Sequence, residues 1–174
     1  ISHRKDNLLV LNVTDKNFKE ALQLENEIAL SGVAILLRAT YLHMMNNFNN
    51  GVLIPLEVST FCDSPPGSGL GTSSTLVVAM VKGFSGFLSL SLDEHRIAQI
   101  AYIIERVECN FAGGRQDQYS AAFGGFNFIE FKRSGLVVVN PIDVKPETVQ
   151  ELEASLLLFF TGVSRDSDKI INDQ

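Results

Sequence analysis

Apolar positions along the chain fall into short runs separated by polar breaks. NLLVLNV, from Asn7 to Val13, is such a run and predicts a short strand. From Asn17 to about Phe48 the apolar spacing is mostly helical, which predicts two helices parted near Ser31 and Gly32. In GVLIPLEVSTFC, Val52, Ile54, Leu56 and Val58 alternate with other residues, the period of a strand. Pro55 lacks a backbone donor, so it points to a free edge or a bulge there. A helix follows with Leu76, Val77, Met80, Val81 and Phe84 on one face. The next opens at SLDE, where Ser91 is placed to cap and Glu94 to complete a capping box. Its apolar stripe is Ile97, Ile100, Ala101, Ile104 and Val107. GFNFIEF and LVVVN read as paired strands, and a polar, proline-marked stretch covers Lys145–Glu153. SLLLFFTGV reads as a buried strand, and the residues after it as the start of a helix. This order predicts segregated antiparallel strands rather than a doubly wound sheet, with Gly124-Gly125 as a turn between strands.

Composition narrows the class. The 174 residues hold one domain, or one domain and part of another. With 45% hydrophobic and 20% charged residues, the chain can bury an ordinary globular core. A net charge of -6 without a Lys/Arg run argues against a nucleic-acid surface, while leaving room for a local basic site that holds a phosphate. GVAILL and SLLLFF are too short to cross a bilayer, so no membrane partner is expected. ISHRKDN is unlike a signal peptide and has no initiator Met, so the true start is expected upstream. Cys62 and Cys109, far apart, read as reduced thiols of a cytoplasmic protein. His3, His43 and His95 have no metal-ligand spacing.

The strongest chemical signal is SPPGSGLGTSS, Ser64 to Ser74. Three of the five residues from Gly67 to Gly71 are glycine, a costly stretch of backbone to order. Strand, glycine turn and helix start together make an anion site, because the first helical N–H groups lack partners and glycine admits a phosphate. A Walker loop is excluded, since the next lysine is Lys82, well inside the helix. A dinucleotide fingerprint is excluded as well, since Gly67, Gly69 and Gly71 lack its third glycine position. A tight turn packed by small residues is the plain alternative.

PPGSGLGTSS resembles the central motif of the GHMP kinases, in which a proline and three residues lead into Gly-Leu-Gly-Ser-Ser-Ala. Thr72 stands for the first serine of that pattern and Ser74 for its alanine. IERVECNFAGGRQDQYSAAFGGFNFIEF, from Ile104 to Phe131, is similar to the D-glycero-D-manno-heptose phosphate kinases and their sugar-kinase relatives. Together the resemblance runs from about Val52 to Ser167. It implies that Pro66, Gly67, Ser68, Gly69, Leu70, Gly71, Thr72, Ser73 and Ser74 wrap the phosphates of ATP. It implies Ser73 and Glu105 as Mg²⁺ ligands and Asp117 as the catalytic carboxylate. For Ser73 a helix cap is the alternative, and for Asp117 a solvated loop position. Helical periodicity sets Glu108 nearer the centre of the apolar face than Glu105, so the choice between the two acids stays open at this level. Gly113 and Gly114 would let backbone approach the substrate, and Arg115 and Arg165 are candidates for its phosphate, with surface charge or an ion pair as the alternative for the arginines.

The fold implied is α+β. Residues 1–153 would be a ribosomal-protein-like N-terminal, ATP-binding domain lacking its first segment, with a left-handed β-α-β unit. Residues 154–174 would begin a truncated ferredoxin-like C-terminal domain, with SLLLFFTGV as its first strand. The family's early sugar-binding motif and its late glycine motif have no counterpart here, so an internal piece of a longer chain is expected. The implied reaction moves the γ-phosphoryl of MgATP to the anomeric hydroxyl of D-glycero-D-manno-heptose 7-phosphate. A fucose- or galactose-type acceptor, a non-catalytic nucleotide- or sugar-binding module, and a homodimer stay open.

Overall fold

A computed structural model describes residues 1–64 and 68–159. Six strands and five α-helices succeed one another among them: β1 (Ser2–His3), β2 (Leu8–Val13), β3 (Phe18–Gln23), α1 (Ile35–Phe48), β4 (Leu56–Thr60), α2 (Thr72–Phe87), α3 (Glu94–Tyr102), α4 (Gln116–Phe123), β5 (Asn127–Phe131), β6 (Val137–Pro141) and α5 (Pro146–Ser155). A π-helical segment, Ile103–Glu108, continues α3 directly.

β1 to β4 form one sheet in the order β1-β4-β2-β3. β2 runs parallel to β4 and antiparallel to β3, with Val10 opposite Glu57 and Ala21. Leu9, Val10 and Leu11 are all buried, so this inner strand is covered on both faces, which its unbroken apolar run already suggests. Leu37, Tyr41 and Met44 of α1, Phe84 of α2, and Ile100 of α3 join Leu9, Leu11 and Leu56 in one core. β5 and β6 pair with each other as expected, antiparallel, with Ile129 opposite Val139. Ala98 and Tyr119 pack with Val137 in a smaller cluster against this hairpin.

Four expectations are corrected. The segment after Asn17 begins as a strand. A 3₁₀ turn at Thr14–Lys16 and a left-handed Asn17 fold β3 back on β2, and every residue from Phe18 to Gln23 finds a partner there. Its inward position Glu20 is satisfied by Arg38 of α1 at 2.8 and 2.5 Å, so a charged residue stands where alternation calls for an apolar one. Pro55 makes neither a bulge nor a free edge. β4 starts just after it, between β1 and β2, and the Pro55 carbonyl accepts from the Arg4 N–H. α3 is capped by Asp93, whose carboxylate accepts from the Arg96 N–H at 2.7 Å, and not by Ser91. Gly124 and Gly125, both at positive φ, turn helix α4 into β5 rather than joining two strands.

At the C-terminal end, the polar stretch forms α5, begun by Pro146 in its first turn. The part of SLLLFFTGV that is described, up to Phe159, forms no strand beyond α5, and Leu156–Phe159 are exposed rather than buried. The remainder of that run and the helix start expected after it lie outside the described residues.

Candidate active site

The chain leaves β4 and reaches α2 through the glycine turn, described from Ser68 onward; Pro66 and Gly67 lie outside the described residues. Gly69 (φ 74°) and Gly71 (φ 70°) both take left-handed backbone, which glycine adopts without strain. Gly71 is the residue before the first turn of α2, and no side chain caps that helix. The amide groups of the first turn therefore face the loop with their hydrogen-bonding capacity available to an anion. The hydroxyls of Ser68 and Thr72 are buried and have no partner among the described residues. Buried hydroxyls without partners are costly, and two of them, one in the glycine loop and one at the start of α2, fit a bound group rich in acceptor oxygens. A cleft of about 270 Å³ opens beside the loop, lined by Lys16, Thr60, Cys62, Thr72, Ser73 and Leu76 among others.

Ser73 does not cap its helix. Its hydroxyl donates instead to Oε1 of Glu105, at 2.8 Å. Glu105 sits on the π-helical segment and is 0% exposed. The segment sets the two acids in different surroundings. A π turn closes i→i+5 bonds, such as Cys109 N–H to Ile104 carbonyl at 2.9 Å, and so rotates later residues away from their α-helical positions. Val107, assigned inward by the regular period, is 66% exposed, while Glu105 turns into the interior. Glu108 points elsewhere and meets Nδ1 of His43 on α1 at 2.6 Å.

The second oxygen of Glu105 accepts from Nε2 of Gln118 at 2.5 Å, and the same nitrogen donates to Oγ of Ser74 at 3.0 Å. Sequence reasoning missed Gln118. Its signal was a polar residue on the inward stripe of α4, one turn before Ala121 and Ala122, which pack on the main core. Among the described residues no cationic side chain pairs with Glu105. A buried carboxylate answered only by neutral donors calls for a cation. No group of three or more His, Cys, Asp or Glu side chains is gathered among the described residues. The Ser73 hydroxyl and the Glu105 carboxylate are hard oxygen donors, a set that fits Mg²⁺.

Asp117 lies in the first turn of α4, and its side chain rests against the glycine loop. A Cβ built on Gly71 would stand 3.3 Å from Cγ of Asp117 and 3.5 Å from its Oδ2. Arg106 braces the loop before α4, donating to the carbonyls of Ala112 at 2.9 Å and Gly114 at 3.2 Å. Gly113 beside it has φ 142°, backbone that residues with a side chain rarely adopt. Arg115 is engaged structurally: its guanidinium lies 4.6 Å over the Tyr102 ring and donates to the Gly135 carbonyl. Arg165 lies outside the described residues. Cys62 and Cys109 are free thiols, as expected.

Residues 34–125 match the family described as the GHMP kinases N terminal domain. D-glycero-alpha-D-manno-heptose 7-phosphate kinase of Campylobacter jejuni is 38% identical over 167 residues, 96% of this chain and 49% of that protein. The bifunctional fucokinase/GDP-fucose pyrophosphorylase of Arabidopsis thaliana is 32% identical over 120 residues, 67% of this chain and 11% of the relative. Among solved structures, a D-glycero-D-manno-heptose 1-phosphate kinase from Bacteroides thetaiotaomicron superposes with a TM-score of 0.83 at 37% identity. It covers 88% of this chain and 50% of its own. The chain thus spans about half the length of the heptose kinases it matches. Its glycine turn, its buried acid and the carboxylate beside Gly71 all fall within or next to the matched region. In fold and in sequence, the chain belongs to the GHMP kinase family.

Proposed function

We propose that the intact protein is a sugar kinase that transfers the γ-phosphoryl group of MgATP to the anomeric hydroxyl of a heptose phosphate, D-glycero-D-manno-heptose 7-phosphate. The observation that carries this reading is the contact between Asp117 and Gly71, which sets a carboxylate against the turn suited to phosphates. The heptose acceptor is supported by the names of the Campylobacter and Bacteroides relatives. Residues 1–153 would supply the ATP-binding N-terminal domain and residues 154–174 the beginning of a second one.

In this mechanism the backbone amides of the turn from Gly69 to Ser73, with the hydroxyls of Ser68 and Thr72, receive the phosphate oxygens of ATP. Ser73 and Glu105 would hold Mg²⁺, which when bound neutralises charge on the β- and γ-phosphate oxygens. Asp117 orients the acceptor hydroxyl and takes its proton. The hydroxyl oxygen forms a bond to the γ-phosphorus, the bond from that phosphorus to the β–γ bridging oxygen breaks, and ADP leaves with that oxygen. Gly114 keeps backbone rather than side chain beside this path. Arg165 remains the candidate partner for the sugar's own phosphate.

The test is sugar-dependent ADP release by the intact protein across a panel of acceptors. Heptose 7-phosphate is expected to give the highest kcat/KM, above the unphosphorylated heptose, fucose and galactose. Equal efficiency with neutral sugars would move the acceptor to the fucose class, which the Arabidopsis relative favours. Tight ATP binding without turnover on any acceptor would leave a binding module.

A further inference from the structure

Gln118 is the fully buried amide in the middle of the site, and the mechanism above gives it no role. Its Nε2 carries two hydrogens and has two acceptors, Glu105 Oε2 at 2.5 Å and Ser74 Oγ at 3.0 Å. The opposite amide orientation would set its carbonyl oxygen against the carboxylate, acceptor facing acceptor, so the network itself selects the orientation. Its Oε1 is buried with no donor among the described residues. An apolar side chain of similar size would avoid that unsatisfied oxygen, so packing alone gives no reason for an amide at this place.

The geometry assigns Gln118 as a positioning residue for Glu105. It fixes Oε2 from behind, so that Oε1 stays turned toward the Ser73 hydroxyl, 2.8 Å away. Ser73 and Oε1 of Glu105 are then presented together as a pair of hard oxygens. Because Gln118 directly follows Asp117 on α4, it also ties the helix of the candidate catalytic acid to α2 and to the π-helical segment. Partners of this kind behind a ligating carboxylate set its direction and its affinity for the ion. The inference rests on reading Glu105 as a metal-holding acid.

It is tested by Mn²⁺ binding to the intact protein, followed by electron paramagnetic resonance, with thermal melting of the same samples as a control for folding. Gln118→Met keeps the length and loses the donor; it is expected to weaken Mn²⁺ binding by about 10–100-fold. Gln118→Asn, too short to reach both acceptors, is expected to weaken it less, and carries the test should the methionine variant not fold. Raising Mg²⁺ should restore kcat in the Gln118 variants, which a merely structural defect would not allow. Glu105→Gln in the same assay separates the two ideas. If it weakens Mn²⁺ binding while the Gln118 variants bind as the parent does, the positioning role is overturned and the metal reading stands. If Glu105→Gln also binds Mn²⁺ unchanged, both are overturned.

Discussion

Asp117 and Gly71 make a single device, and each can be tested by a change of one group. Asp117→Asn keeps the shape and removes the base. Turnover of the intact protein is expected to fall about 10²–10⁴-fold with ATP affinity retained, the range for a positioned acid–base group. Near-parental turnover would take Asp117 out of the chemistry. Gly71→Ala acts on the same contact from the other side. At φ 70° an alanine backbone is strained by about 1–2 kcal/mol, and its methyl would press on the Asp117 carboxyl. A lower Tm together with a lower kcat is expected; a drop in Tm alone would show that the carboxyl moves aside without consequence. A third residue, Tyr41, reports on the core. Burial pushes its phenol up to about 12 from an ordinary 10.0, and its hydroxyl donates to the Ile54 carbonyl at 2.9 Å. Since the folded value is raised, the stability tied to the neutral phenol is whole below pH 10 and is lost as pH rises toward 12. Alkaline unfolding followed by circular dichroism should therefore steepen in that window, and Tyr41→Phe should flatten it.

Among the elements, the π-helical segment has the largest effect on the site, and it was the least legible. A strict 3.6-residue period carries the stripe of α3 on through Ile104 to Val107 and draws Glu108 inward. Nothing in IERVE announces the wider turn that exposes Val107, buries Glu105 and gives Glu108 to His43. The resemblance to known kinases pointed to Glu105 where periodicity alone did not. A direct comparison follows from the two environments. Glu105→Gln is expected to raise the Mg²⁺ concentration needed for half-maximal activity, and Glu108→Gln to leave it unchanged. A Mg²⁺ requirement that follows Glu108 instead would place the ligand one turn along. β3 was illegible for a different reason. Phe18, Leu22 and Leu24 alternate with Glu20 between them, and a charge at an inward position hid the period of two. Arg38, which neutralises it, comes from another element, so the pattern makes sense only once α1 packs on the sheet. Conversely, α2 and β2 were readable because their apolar residues enter the main core together, and the β5–β6 pair because its apolar runs flank a short polar turn. The glycine loop was readable because local conformation and chemistry demand the same residues.

At the scale of the whole molecule, the hairpin end of the chain differs from the sheet end. β5 and β6 pair only with each other among the described residues, and their covered face rests on Ala98 and Tyr119. Phe128, Leu136 and Ile142 are exposed, and Leu156–Phe159 follow α5 into solvent, with Leu158 85% exposed. Two-stranded hairpins are marginal without further cover, and exposed apolar side chains in such numbers favour association. Kinase chemistry also needs ATP and acceptor held from several sides, and the chain spans about half the length of its heptose kinase relatives. The 174-residue chain by itself is therefore expected to bind ATP weakly, release no sugar-dependent ADP and self-associate. Light scattering with the purified polypeptide, beside ADP release measured against the intact protein, tests all three. A monodisperse monomer would show that the exposed hairpin face and Leu156–Phe159 need no cover. Robust turnover would show that the Asp117–Gly71 device and the Ser73–Glu105 pair are sufficient without further chain.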